Sequence, residues 1–127
     1  MLRYFLILAL SSVAFIAISQ SSLQLLSPND FEKKLTTLPD KQIVDVRTSE
    51  EFRQGHISGA IVIDYYKDDF KAQLSKLDKN KPVFVYCAGG GRSGASASLL
   101  SDLGFKQIYD LRGGFNAWSK ASKPTVK

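Results

Sequence analysis

Apolar residues along this chain fall into short blocks whose spacing alternates between the period of strands and the period of helices. Ile43 to Val46, Ala60 to Ile63, Pro82 to Tyr86 and Ile108 to Leu111 are compact apolar or β-branched runs, which predict buried strands. Helical spacing lies between them. Phe31, Leu35 and Leu38 share one face of a segment opened by Ser27-Pro28-Asn29-Asp30 and closed by Pro39-Asp40, and Phe70, Leu74 and Leu77 share another. Ser49, with Glu50 and Glu51 behind it, predicts an N-cap and acidic first turn for a helix that Gly55 stops. From Ser93 to Leu103, Ala95, Leu99 and Leu103 fall on one side before Gly104 ends the helix. Gly113-Gly114 then turns the chain, and Phe115 with Trp118 predicts a short final helix with its aromatics turned inward. Strands separated by helices predict an α/β domain with a largely parallel sheet covered on both faces, and a site beyond the carboxyl ends of the strands.

The first residues break this alternation. Arg3 precedes an apolar run from Tyr4 to Ile18 interrupted only by Ser11 and Ser12, and Ala17 and Ser19 are spaced as a signal-peptidase site after Ser19 requires. The run is shorter than the ~20 apolar residues of a comfortable span. Residues 1–19 are therefore expected to be a signal peptide, with an uncleaved N-terminal anchor as the competing reading. Either one exports the domain, to the periplasm or outside the cell, and contact with a membrane is expected only through this segment if it is retained. Residues 20–26 read as a linker and residues 27–127 as one globular domain.

Composition narrows the function. With 127 residues, 44% hydrophobic and 23% charged, the chain has room for one core. Its formal charge of +5 suits a small anionic ligand, but the lysines are scattered and form no basic cluster, which argues against nucleic-acid binding. One cysteine and one histidine do not build a metal site unaided, and no cofactor motif is visible. Cys87 has no partner for an internal disulfide, and an unpaired thiol in an exported protein points to a chemical role.

That cysteine ends an apolar strand and opens the run Cys87-Ala88-Gly89-Gly90-Gly91-Arg92-Ser93-Gly94. Glycines allow positive φ and carry no side chain, so successive N–H groups can turn toward the sulfur and form an anion-binding concavity. The following helix adds its positive end, and Arg92 is placed to add a full charge. The expected result is a thiolate at neutral pH, cradled by Ala88, Gly89, Gly90, Gly91, Arg92 and Ser93.

These residues resemble the rhodanese-like domains, and the resemblance extends from about Ser27 to Trp118. Asp45-Val46-Arg47, Glu51-Phe52 and Gly55-His56-Ile57-Ser58-Gly59-Ala60 are similar to the family's amino-terminal signature, Cys87 to Arg92 to its active-site loop, and Leu111-Arg112-Gly113-Gly114-Phe115 with Trp118 to its carboxyl-terminal signature. The resemblance implies a mostly parallel five-stranded sheet flanked by helices on both faces. It also implies a sulfurtransferase in which Cys87 takes a sulfane sulfur from thiosulfate, a polysulfide or a persulfide and passes it to cyanide or a thiol, small or on a partner protein. A non-catalytic sulfur carrier is the alternative. A phosphatase or arsenate reductase on the same fold fits less well, because four residues separate Cys87 from Arg92 whereas the related dual-specificity phosphatases have five, and no resolving cysteine is present. His56, Asp45 and Arg47 are expected to be structural, with Arg47 and Glu51 close enough in sequence to pair.

Overall fold

Five strands follow one another along the chain, each with a helix after it. The computed structural model describes residues 11–14 and 21–127. In chain order the elements are β1 (Ser22–Leu26), α1 (Pro28–Thr37), β2 (Gln42–Asp45), α2 (Ser49–Gln54), β3 (Ile61–Val62), α3 (Phe70–Ser75), β4 (Val83–Tyr86), α4 (Gly91–Asp102), β5 (Gln107–Leu111) and α5 (Gly114–Lys120). They form one sheet of order β1-β5-β4-β2-β3 in which every pairing is parallel, the α/β architecture expected. The central strand β4 therefore ends at the middle of the sheet's carboxyl edge, and the next residue is Cys87.

Two cores sandwich the sheet. On one face Val44, Val46, Val83, Val85 and Ile108 pack under α3 and α4, through Phe70, Leu74, Ala97 and Leu100. On the other, Ile43, Phe84, Tyr86, Tyr109 and Leu111 pack under α1 and α5, through Phe31, Leu35 and Trp118. Each fully buried side chain of this kind contributes about 1.5–3 kcal/mol. The aromatic contacts between Phe31 and both Phe84 and Trp118 are edge-to-face.

Three local expectations change. Ser22–Leu26, read as linker, is the fifth strand, paired in register with Gln107–Leu111. Its side chains are mostly exposed, so backbone hydrogen bonds to β5 rather than burial hold it, and a leucine-rich edge strand leaves little hydrophobic signature. Thr48, not Ser49, caps α2, in a reciprocal capping box with Glu51. On α4 the buried positions are Ser93, Ser96, Ala97 and Leu100, while Ala95 faces solvent and Leu99 and Leu103 lie at the margin of the core. Small residues at Ser93 and Ser96 bring the first turns of α4 close to the sheet beside Cys87.

Among the described residues no helix is long and apolar enough to cross a membrane. The segment 1–19, read as an export signal or anchor, lies outside the described residues apart from 11–14.

Candidate active site

Cys87 sits where β4 gives way to α4, and the loop between them is built around its sulfur. Gly90 caps α4 with φ of 114°, a conformation that side-chain-bearing residues rarely adopt. That twist brings the Gly90 N–H to 3.0 Å from Sγ, and the Ser93 hydroxyl lies 3.5 Å away on the first turn of α4. Burial alone would push the thiol up. The Ser93 hydroxyl and the N–H groups of Ser93, Gly90 and Gly89 outweigh it, and the net shift is downward from the ordinary thiol value. Cys87 is 1% exposed, so whatever reacts with its sulfur must be narrow enough to enter the cradle.

The far side of the cradle is set by the turn into α5. Phe115 N–H donates to the Cys87 carbonyl at 2.7 Å, and Asn116 N–H donates to the Ala88 carbonyl at 3.0 Å. Both carbonyls are thereby satisfied by the start of α5, which fixes the backbone of the loop. So close an approach requires glycine at 114: a Cβ there would lie 2.5 Å from each carbonyl oxygen, and its φ is 62°. Gly89 and Gly91 are different, with nothing within 4 Å of the position a Cβ would take.

Among the predicted loop residues, Gly90 and Ser93 make side-chain or N–H contact with Sγ, and Ala88 anchors the loop to α5. Arg92 points elsewhere. Its guanidinium makes two hydrogen bonds to the Glu51 carboxylate, at 2.8 and 3.1 Å, and lies over the Tyr66 ring. Glu51 foremost, and the sulfur least, hold Arg92 in its charged form. The Arg47–Glu51 pair anticipated from sequence is thus not made. Arg47 bonds Asp45 instead, with its Nη2 at 2.7 Å from Oδ2 and also 2.7 Å from the Gly55 carbonyl. Asp45 and Arg47 are both buried, where an unmatched charge is costly, and the strand end places them side by side. The Arg47 guanidinium also lies 4.3 Å from the Phe115 ring centre, so this pair ties β2 to the end of α2 and to α5.

His56 stacks on Phe52, its Nδ1 is 2.9 Å from the Phe52 carbonyl, and its backbone bridges Val126; it has no contact with Cys87. Trp118 is buried and its Nε1–H donates to the Pro124 carbonyl. An open groove of 340 Å³ lined by Thr48, Ser49, Glu50, Arg53, Asp64 and Lys67 includes no residue of the cysteine loop. Among the described residues no group of three His, Cys, Asp or Glu side chains is placed to hold a metal.

One buried group was missed from sequence. Asp110, in β5, is 4% exposed and its Oδ1 has no hydrogen-bond partner. A carboxylate in the apolar run Ile108-Tyr109-Asp110-Leu111 was the available signal.

The chain is similar to known proteins in sequence and in fold. The family profile described as "Rhodanese-like domain" matches residues 27–121. A protein named thiosulfate sulfurtransferase GlpE from Coxiella burnetii is 41% identical over 86 residues, covering 68% of this chain and 78% of that protein. Thiosulfate sulfurtransferase 16, chloroplastic, from Arabidopsis thaliana is 37% identical, covering 69% and 82%. Among solved structures, a rhodanese-related protein from Thermoplasma volcanium superposes with a TM-score of 0.72 at 28% identity, covering 81% of this chain and 97% of that one.

Proposed function

The chain belongs to the rhodanese-like domain family, and on that premise we propose that it is a sulfurtransferase that carries a sulfane sulfur on Cys87. The observation that carries this reading is the sulfur's surroundings: a buried thiol at the end of the central strand, with the Gly90 N–H at 3.0 Å and the Ser93 hydroxyl at 3.5 Å offsetting the cost of a negative charge there.

The Cys87 thiolate attacks the outer sulfur of a donor such as thiosulfate. The donor's S–S bond breaks, sulfite departs with the electron pair, and Cys87 becomes a persulfide whose terminal sulfur carries the negative charge. Cyanide or a thiolate then attacks that terminal sulfur, and the Cys87 thiolate leaves. No proton has to be taken from the donor, so the loop needs donors of hydrogen bonds rather than a base, consistent with His56 standing apart. The N–H groups that support the thiolate would also hold the persulfide anion.

Mass spectrometry after exposure to thiosulfate or polysulfide tests the reading: one added sulfur on Cys87 is expected, discharged by cyanide or a thiol. Cys87→Ser should neither load nor turn over, because its hydroxyl forms no persulfide. Turnover persisting in that variant would refute the mechanism, and loading without turnover would make the domain a carrier. The segment 1–19 supports delivery of the domain across a membrane; sequencing the mature amino terminus, expected near Gln20, tests this.

A further inference from the structure

The order β4-β2-β3 sets three loops side by side along the carboxyl edge of the sheet: the cysteine loop after β4, Thr48 and Ser49 after β2, and Asp64 to Lys67 after β3. Backbone hydrogen bonds carry the register past the strand ends, from Val46 N–H to the Tyr86 carbonyl at 3.0 Å and from Tyr65 N–H to the Val46 carbonyl at 3.2 Å. The 340 Å³ groove is lined from the second and third of these loops, at the edge where open parallel sheets bind their ligands.

Four charged side chains line this groove, Glu50 and Asp64 with Arg53 and Lys67. Among the described residues none of the four pairs with an opposite charge, although three ion pairs form elsewhere in the domain. Two acids and two bases that stay apart around one concavity complement a ligand carrying both signs, and with no net charge between them they offer little to a simple anion.

Arg92 joins the groove to the cysteine loop. Its guanidinium is held by Glu51, the residue after Glu50, and lies over the ring of Tyr66, the residue before Lys67. Tyr66 is 68% exposed, so the way from groove to loop crosses a large aromatic surface. β3 stands two strands from β4, roughly 10 Å at the usual strand spacing, and about three extended residues cover that distance. A single amino acid holds its thiol too close to its charged groups to bridge it, whereas a peptide does so.

We propose that this groove docks the sulfur acceptor, and that the acceptor is a polypeptide presenting its cysteine on an extended segment with a basic and an acidic residue about three positions away. This rests on Cys87 carrying the sulfur of the proposed transfer, and deepens that reading by naming the class of thiol that receives it. Glu50 and Asp64 take the basic side chain, Arg53 and Lys67 take the acidic one, and the segment crosses Tyr66 to bring its thiol to the mouth of the loop. Selection of the acceptor is thereby kept outside the narrow cradle around Cys87, which has room for little besides the transferred sulfur.

The test uses two peptides, Cys-Gly-Gly-Glu-Lys and Cys-Gly-Gly-Gln-Gln, acetylated and amidated so that only side chains carry charge. Calorimetry on full-length Cys87→Ser measures their binding without any sulfur transfer. The charged peptide is expected to bind about tenfold more tightly, the scale of two partly exposed ion pairs, and its advantage should fade as salt rises. Arg53→Gln combined with Asp64→Asn should remove the difference between the peptides. In sulfur transfer from wild type, kcat/KM for the charged peptide should exceed that for free cysteine, and this ratio should fall in the same double variant. Equal affinity for the two peptides, a preference that survives high salt or the double substitution, or free cysteine matching the charged peptide as acceptor would overturn the inference. Transfer to cyanide with no preference between peptides defeats the groove alone, and a preference between peptides with no transfer defeats the Cys87 mechanism.

Discussion

Arg92 and Glu51 meet through two hydrogen bonds at the mouth of the cysteine loop, from Nη1 to Oε1 at 2.8 Å and from Nη2 to Oε2 at 3.1 Å. The one cation of the cysteine loop is therefore matched before any donor enters. Glu51→Gln releases it, and kcat/KM for the dianion thiosulfate should rise about two- to fivefold, the scale of a partly exposed ion pair, while a singly charged persulfide donor changes less. Equal thiosulfate kinetics in both proteins would show that Arg92 does not reach the donor.

The same pair makes stability depend on acidity. The Arg92 hydrogen bond, working against burial, pulls Glu51 from its ordinary 4.5 down to about 2. Because the folded value lies below the unfolded one, the stabilisation is fully present above the unfolded value and is lost as pH falls through the folded one. The Tm difference between wild type and Glu51→Gln should be constant near neutrality and shrink between pH 4.5 and about 2. A difference that stays level through that window would contradict the pairing.

Gly114 is expected to be the least replaceable glycine of the site. Alanine there meets the carbonyl oxygens of Cys87 and Ala88 at 2.5 Å and must also hold a left-handed φ. Together these should cost about 2–4 kcal/mol in urea denaturation, and the variant should alkylate at Cys87 with a shifted pH profile. Wild-type stability in Gly114→Ala would mean the α5 turn is free to retreat from the loop.

At Gly89 the opposite outcome is expected. It is exposed, its Cβ position is open, and its φ is not left-handed, so Gly89→Lys should fold with a stability change within about 0.5 kcal/mol. With Arg92 engaged by Glu51, wild type offers a dianion little beyond N–H groups, and we expect a higher kcat/KM for polysulfide or persulfide than for thiosulfate. The added lysine should improve thiosulfate use selectively. A wild-type preference for thiosulfate would show that loop charge does not choose the donor.

What the sequence disclosed, and what it hid, follows from the range of each interaction. β2, β4, β5 and the cysteine loop are legible because burial and backbone conformation are set locally, by apolar runs and by glycine, while β3 is legible from its β-branched run although as an edge strand it leaves Ile61 exposed rather than buried as expected. β1 is hidden because Leu23 and Leu25 remain exposed at the sheet edge and only its backbone is engaged. The partners of Arg92 and Arg47 are hidden for another reason. Glu51 lies 41 residues before Arg92, and only the parallel order of β2 beside β4 brings α2 against α4. Helical spacing within the chain suggested Arg47 with Glu51, and tertiary placement gave each a different partner. Asp110 was visible as a charge in a buried strand, but Gly94, whose Cβ position lies 3.9 Å from its Oδ2, belongs to a helix whose buried face sequence spacing put on the wrong side.

The direction of β1 fixes how the domain is held from its amino-terminal side. All five strands run the same way, so the chain enters the sheet at Ser22, at the edge opposite the one from which Cys87 emerges. The five residues of β1 span roughly 17 Å at the usual rise per residue. Ser22, where β1 begins, is thus separated from the Cys87 end of the sheet by the length of a strand. The amino-terminal entry into the sheet and the cysteine loop therefore occupy opposite ends of the domain, so a change at one need not crowd the other.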